Sequence, residues 1–197
     1  MKGAETRRTV LLAAATAFSE KGYKGTTLQD IARSAGIQAA SIYYYFKSKE
    51  NILREVISEG IGAIDSAVRE ALASLPRSST PREKMRGAIH IFLLTHLDLS
   101  DYSHAYVRLY NRLPSAIKRQ DHPKRVAFLE IWRQLLIDGQ KSGDFREDIN
   151  VDVFVEFLLG SMSRARDWYN PQTVSIDELA RSVDDWIFRG IGRVARK

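Results

Sequence analysis

The sequence predicts an all-α protein of about nine helices, and two observations support this prediction. Apolar residues recur at three- and four-residue spacing along the whole 197-residue chain, which is the spacing of one face of an α-helix. No stretch shows the alternation of apolar and polar residues that is typical of a half-buried strand. With 44% hydrophobic residues, the chain has enough apolar surface to bury a core.

The N-terminal segment predicts two helices and a sharp turn. Gly22 is expected to end the first helix. Thr27 is expected to cap the second, because its hydroxyl can accept a hydrogen bond from an early backbone N–H group and Asp30 follows three residues later. Gly36 can then adopt the positive φ that a tight helix-to-helix turn requires.

A third short helix is predicted from about Gln38 to about Phe46. Ile42 and Phe46 lie four residues apart, so both side chains are expected on its buried side. Ser48 is the predicted cap of a long fourth helix that runs to Leu72. A supporting helix followed by two short helices around a tight turn is a helix-turn-helix, whose last helix lies in the major groove of DNA.

The rest of the chain contains five further helix signals, each marked by a capping residue, a proline or a glycine. They predict, in order, a helix that begins at Thr80-Pro81, a shorter one from Tyr102 to Leu113, a long one from Pro123 to about Lys141, one that Asn150 caps and Asn170-Pro171 ends, and a last one that begins at a Ser175–Glu178 capping box.

The helix after Asn150 carries two apolar stripes instead of one, so it needs packing partners on both sides. Either a second subunit or the rest of the same chain can supply them. The first stripe consists of Phe154, Phe157, Leu158, Ser161 and Ala165, and the second of Val151, Val155 and Leu159. The last helix is expected to carry on one face Ile176, Leu179, Ala180, Val183, Trp186, Ile187 and Ile191.

Positive charge is concentrated at the N-terminal end. The whole chain has a formal net charge of +6, and residues 1 to 55 carry nine Lys or Arg against five Asp or Glu. Such an excess attracts polyanions, of which nucleic acid is the usual one. An ordinary solvated surface is the alternative interpretation of the charge alone.

Several classes of protein are excluded by what the sequence lacks. Cysteine is absent, so disulfides and thiolate sites are ruled out. The four histidines lack metal-ligand spacing, and no glycine-rich phosphate loop is present. Neither a metal, nor a cofactor, nor an enzyme is therefore expected. No apolar run approaches the ~20 residues of a membrane span, which predicts a cytoplasmic protein without membrane contact.

The helix-turn-helix region resembles the N-terminal signature of the TetR family of transcriptional regulators. The resemblance rests on TTLQDIA at residues 26–32, AGI at 35–37 and SIYYYFKSKENIL at 41–53. It implies a DNA-binding domain over residues 1–50 and an effector-binding and dimerisation domain over 51–197. It also implies that the last two helices form half of a four-helix bundle between two subunits.

The resemblance further implies a repressor that binds a palindromic operator as a homodimer and is released by a small-molecule effector. A sequence-tolerant DNA-binding protein and an activator without an effector are the alternatives. With Ile42 and Phe46 facing inward, the free side of the third helix can contact bases. The predicted base contacts are Gln38, Ser41 and Tyr44. The predicted phosphate contacts are Thr27, Tyr43 and Lys49. Two alternatives are that Thr27 only caps its helix and that Tyr43 is mainly a packing residue.

The predicted effector site lies in the middle and late helices, where polar and aromatic residues interrupt apolar stretches. The segments Gly143–Arg146 and Arg166–Pro171 resemble repressors of lipid and sterol breakdown that respond to acyl-CoA thioesters. That resemblance implies that arginines there pair with phosphates and that Trp168 stacks on a ring. The candidate effector residues are His96, Tyr106, Tyr110, Trp132, Arg164, Arg166 and Trp168.

Overall fold

A computed structural model describes residues 2–98, 101–110 and 113–191. The regular structure of these residues is helical and includes nine α-helices, which confirms the predicted fold class. The helices are α1 (Lys2–Gly25), α2 (Leu28–Ser34), α3 (Ala39–Tyr45), α4 (Lys49–Ser74), α5 (Pro81–Asp98), α6 (Asp101–Leu109), α7 (Ser115–Ser142), α8 (Val151–Ser163) and α9 (Ile176–Ile191), with a short 3-10 helix at Ala165–Asp167.

The chain divides into two compact units. The first consists of Met1–Ala63 and Leu99–Lys124, and the second of Ile64–Asp98 and Arg125–Lys197. Helices α4 and α7 each run without interruption from one unit into the other. The first unit therefore contains α6 and the start of α7 in addition to the helix-turn-helix.

In the first unit, the local signals produce the predicted helix-turn-helix. Gly22 interrupts α1 at φ 73° and Gly36 turns the chain at φ 68°. At the start of α2, the backbone N–H of Asp30 donates to the Thr27 hydroxyl over 3.1 Å, and the Thr27 N–H donates to the Asp30 carboxylate over 2.9 Å. This reciprocal capping box satisfies N–H groups that the helix itself leaves unpaired.

Helices α4 and α6 of the first unit cross at very short range. At Gly60 of α4, a Cβ atom would lie 2.4 Å from the carbonyl oxygen of Tyr102 and 2.7 Å from Cβ of Tyr106. Only a residue without a side chain allows this approach. At Gly62, two residues further along the same helix, a Cβ atom would meet no described atom of another element within 4 Å.

The second unit is built around aromatic side chains. The ring of Phe92 on α5 lies 5.9 Å from Trp132 and 6.4 Å from Phe128, both on α7. Just after α7 ends, Phe145 stacks on Phe188 of α9 at 5.7 Å. All five side chains are buried, so these ring contacts form the core of the unit.

Two predicted helix boundaries are wrong. Helix α7 begins at Ser115 and contains Pro123 in its interior. The proline removes one backbone hydrogen bond, and in the turns before it the side chain of Ile117 is buried. Helix α8 ends at Ser163 instead of continuing to Asn170-Pro171. A short 3-10 helix, Ala165–Asp167, follows it, and a 3-10 helix winds more tightly than an α-helix.

We expect Gly60→Ala to destabilise the protein by about 1–3 kcal/mol, because the new methyl group overlaps a backbone carbonyl that cannot move aside freely. Gly62→Ala is the matched control, with the same change in the same helix but open space around it. It should raise stability by roughly 0.5–1 kcal/mol through helix propensity. Thermal unfolding followed by circular dichroism measures both, and equal effects of the two substitutions would contradict the close crossing.

Candidate nucleic-acid interface and effector region

Helix α3 presents a solvent-facing side that is fixed by two buried residues. Ile42 is fully buried and Phe46, at the C-cap, is 1% exposed. Tyr44 is 85% exposed and Tyr43 63% exposed. Gln38 and Ser41 are also exposed, so the structure places the predicted base-contacting side chains together on a free surface.

Two side chains at the ends of α3 have defined surroundings. The ring of Tyr45 meets that of Tyr44 edge to face, with centroids 5.0 Å apart, which limits how Tyr44 can move. Gln38 occupies the N-cap in an extended conformation, and its side chain makes no capping hydrogen bond to any described residue. Its amide is therefore available for contacts outside the helix.

Thr27 is exposed, and its hydroxyl is engaged by its own helix. In addition to accepting from the Asp30 N–H, it donates to the Asp30 carboxylate over 2.7 Å. The hydrogen bonds from Thr27, together with Lys21 at 3.5 Å, hold the pKa of Asp30 at about 2. The capping role is therefore visible in the structure, whereas a phosphate contact by Thr27 stays a prediction.

Lys49 has a structural role that the sequence did not reveal. Its Nζ donates to the carbonyl oxygens of Tyr23 at 2.9 Å and Thr26 at 2.7 Å, and it lies 4.4 Å from the centre of the Tyr23 ring. The ammonium thus ties the start of α4 to the turn between α1 and α2. An ammonium has three donors, so the predicted phosphate contact stays a prediction for the remaining one.

Arg7 is a second cation that sequence reasoning missed. Its guanidinium pairs with Glu55 on α4 and lies 4.9 Å from the centre of the Phe46 ring. Asn51 also donates to Glu55, over 3.3 Å. Arg7 and Lys49 therefore brace the helix-turn-helix from α1 and α4, and no local signal identifies them because their partners are distant in sequence.

The seven predicted effector residues divide between the two units. Tyr106 and Tyr110 lie in the first unit, with ring centroids 5.3 Å apart. The other five belong to the second unit. Among these, the side chain of Arg164 is 78% exposed and pairs with Asp167 at 3.1 Å, and Trp168 is 60% exposed.

His96 is the buried polar residue of this set in the second unit, and Arg166 contacts it. His96 is fully buried, and its Nε2 lies 2.8 Å from the carbonyl oxygen of Ser163, so this nitrogen is the donor. Arg166 donates to the His96 carbonyl over 3.3 Å. His96 Nδ1, Trp132 Nε1 and Thr95 Oγ1 are buried without a hydrogen-bond partner in the described part of the chain. Burial lowers the pKa of His96.

A groove of about 580 Å³ lies between α5 and α9 of the second unit. Two polar contacts cross it, an ion pair between Arg86 and Asp184 at 2.7 Å and a hydrogen bond between His90 and Asp177 at 2.8 Å. Ala180 and Arg181 also line the groove, and none of the predicted effector residues is among its described lining residues. Sequence reasoning missed this groove because the register between the two helices decides which residues line it.

Large apolar side chains of the last helices face solvent. Val153, Phe157, Trp168 and Trp186 are between 60% and 74% exposed. Trp186, on the predicted apolar face of the last helix, is exposed in the single chain, whereas Phe188 of the same helix is 4% exposed and packs on Phe145. On α8 only one stripe is buried, formed by Val155, Leu158, Leu159 and Met162.

Within residues 2–98, 101–110 and 113–191 we find neither a metal site nor a membrane-spanning helix. No group of three or more His, Asp or Glu side chains in these ranges is placed to hold a metal ion. No helix in the same ranges combines the length and the apolar character needed to cross a membrane.

Comparison with known proteins identifies two matching family models. Residues 10–56 match bacterial regulatory proteins of the tetR family, and residues 78–191 match the tetracyclin repressor-like C-terminal domain. The chain is 32% identical to the HTH-type transcriptional repressor KstR2 of Rhodococcus jostii (strain RHA1), over 96% of this chain and 93% of that protein.

Two solved structures show the same fold. The ketosteroid transcriptional regulator KstR2 of Mycobacterium tuberculosis superposes with a TM-score of 0.81, at 24% identity and over 95% of both chains. AibR in complex with isovaleryl coenzyme A and operator DNA superposes with a TM-score of 0.84, at 17% identity, over 93% of this chain and 98% of that one.

We expect His96 to make stability depend on pH. Because the pKa of His96 is lowered in the folded protein, the unfolded chain binds a proton more tightly at this residue. The free energy of unfolding is therefore highest above the ordinary histidine pKa, near 6.5, and decreases as the pH falls below it. The unfolding midpoint should therefore decrease more between about pH 7.5 and about pH 5.5 in the wild type than in His96→Gln, whose amide can still donate to Ser163. The exposed His122 provides the control substitution His122→Gln, and an identical pH dependence in wild type and His96→Gln would contradict the expectation.

Proposed function

Because the chain belongs to the TetR family of bacterial transcriptional regulators, we propose that it represses transcription by binding a palindromic operator as a homodimer. Regulators of this family are not enzymes. The observation that supports the proposal most strongly is the outward face of α3, where Tyr44 is 85% exposed while Ile42 is fully buried. A repressor is favoured over an activator because the relative from Rhodococcus jostii is named a repressor.

The proposed contacts to DNA come from the helix-turn-helix. Gln38, Ser41 and Tyr44 face bases in the major groove, and Thr27, Tyr43 and Lys49 lie toward the phosphates. One module of this size buries little surface, so two modules on half-sites about 34 Å apart are needed for tight binding. Such a regulator acts in the cytoplasm, where operators are accessible.

Dimerisation is proposed to use α8 and α9. Phe157 on α8 and Trp186 on α9 are 74% and 67% exposed, an unusual exposure for side chains of this size. At Gly160 of α8, a Cβ atom would meet no described atom of another element within 4 Å, so a second backbone can approach closely. Two copies of this helix pair then form a four-helix bundle across a twofold axis.

The proposed effector is an acyl-CoA thioester. The chemistry that supports this class is the exposed pair of Arg164 and Trp168, which suits a phosphate and a ring. AibR, which shares the fold, binds isovaleryl coenzyme A. Binding shifts the helices of the second unit, and α4, which is continuous between the units, transmits the change so that the two α3 helices lose register with the operator.

We expect Tyr44→Ala to weaken operator binding by roughly tenfold or more, because each half-site loses an aromatic contact. The substituted side chain is exposed, so the fold and the dimer should persist. Fluorescence anisotropy with a specific duplex measures affinity, and sedimentation velocity measures the dimer. Wild-type affinity in the Tyr44→Ala variant would remove α3 from the interface.

We expect Phe157→Asp to convert the dimer into a monomer, since two buried phenyl rings contribute about 1.5–3 kcal/mol each and the carboxylate adds a desolvation cost. Val126→Asp on α7 is the matched control, because Val126 is also exposed, at 42%, but lies outside α8 and α9. Light scattering after gel filtration gives the mass. A dimeric Phe157→Asp variant would show that the interface lies elsewhere.

We expect isovaleryl- or palmitoyl-coenzyme A to release the wild-type protein from its operator, with free coenzyme A as the control. Trp168→Ala should require a higher concentration of the thioester while its DNA affinity without ligand stays unchanged, because Trp168 lies outside the helix-turn-helix. Anisotropy of a labelled duplex during ligand titration follows the release. An unchanged release curve in the Trp168→Ala variant would exclude this side chain from the effector site.

A further inference from the structure

The centre of the exposed face of α3 is apolar. A helix turns by about 100° per residue, so Ala40 and Tyr44, each two residues from the buried Ile42, lie within about 20° of the direction opposite to it. Both are exposed, Tyr44 to 85%. The two positions furthest from the protein core therefore present a methyl group and an aromatic ring.

The polar side chains of α3 lie beside this centre instead of on it. Ser41 and Tyr43 are each about 100° from Ile42, and Gln38 precedes the first turn at the N-cap. Tyr45 is half-buried and holds the ring of Tyr44 edge to face at 5.0 Å. The part of α3 that reaches deepest into a groove thus offers a methyl group and an aromatic ring, with the phenol hydroxyl as its one polar atom.

In the major groove, one apolar group distinguishes the bases. Thymine carries a C5 methyl group there, whereas the other base edges present hydrogen-bond donors and acceptors. The Ala40 methyl group and the face of the Tyr44 ring cannot satisfy those polar edges, and pressing them against such an edge would cost its hydrogen bonds to water. The phenol hydroxyl is the one polar atom of the Tyr44 side chain. Packing the Ala40 methyl group and the Tyr44 ring against the thymine methyl group breaks no hydrogen bond to water.

We infer that Ala40 and Tyr44 form a sensor for thymine methyl groups and set the sequence specificity of each half-site. The inference rests on the proposed DNA-binding function and adds the chemical group that is recognised. The sensor requires at least one thymine in each half-site at the position under α3. Gln38 and Ser41 read the flanking pairs by hydrogen bonds.

Deoxyuridine tests the sensor, because it differs from thymidine only in lacking the methyl group. A specific duplex is first recovered from a random pool, and each thymine of the half-site is then replaced in both half-sites by deoxyuridine. At one or two adjacent positions the wild type should bind roughly fourfold more weakly per half-site, or about fifteenfold for the symmetric replacement. The change is made in the DNA, so the result does not depend on how a variant folds.

Protein variants then assign the effect to its residues. Tyr44→Ala and Ala40→Gly should bind the thymine and deoxyuridine duplexes with nearly equal affinity. Tyr44→Phe keeps the ring and should keep the full difference, and Tyr43→Phe, beside the sensor, should also keep it. Loss of discrimination in Tyr44→Phe would show that the phenol hydroxyl, and not the ring, is the reading group.

Three results would overturn the inference, and they are distinguishable. If the recovered duplex binds specifically but no deoxyuridine replacement weakens it, or if its half-sites contain no thymine, the methyl sensor is wrong while the DNA-binding function stands. If the difference persists in both Tyr44→Ala and Ala40→Gly, another element reads the methyl group. If no duplex is enriched at all, the proposed function fails and the sensor with it.

Discussion

The burial of Ile42 and Phe46 determines which side of α3 faces outward, and the DNA-binding surface depends on it. A seven-residue helix has little stability of its own, so its rotation is set by these two side chains and by the braces around them. Arg7 contacts the Phe46 ring from α1, and Lys49 ties α4 to the α1–α2 turn. A rotation by one residue would bury Tyr43 or Ser41 and remove the polar flanks from the surface.

The positive charges of Arg7 and Lys49 both hold the helix-turn-helix together and add to the attraction for a polyanion. The N-terminal excess of positive charge suits a polyanion, yet Arg7 and Lys49 are occupied by Glu55, by aromatic rings and by backbone carbonyls. The long-range attraction of a charge persists when it is hydrogen-bonded, so both residues still contribute to the field. The exposed Lys24 and Lys47 add to the same field.

Sequence signals predicted the features that are decided within a few residues. The capping boxes at Thr27 and Ser175 and the turn at Gly36 need only their own neighbours, and each has the expected hydrogen bonds or φ. Features decided by distant packing were missed. Helix α7 continues through Pro123, Lys49 binds carbonyl groups that precede α2, and Phe188 packs on Phe145, because contacts between residues far apart in the sequence decide each of these features.

The proposed repression requires that α3 of each subunit enters the major groove of one half-site. Dimethyl sulfate footprinting tests it directly, since the reagent methylates guanine N7 in the major groove and adenine N3 in the minor groove. We expect protection of guanine N7 in two clusters separated by about 10 base pairs or a multiple of that distance. Protection confined to adenine N3, or spread evenly along the duplex without two clusters, would contradict it.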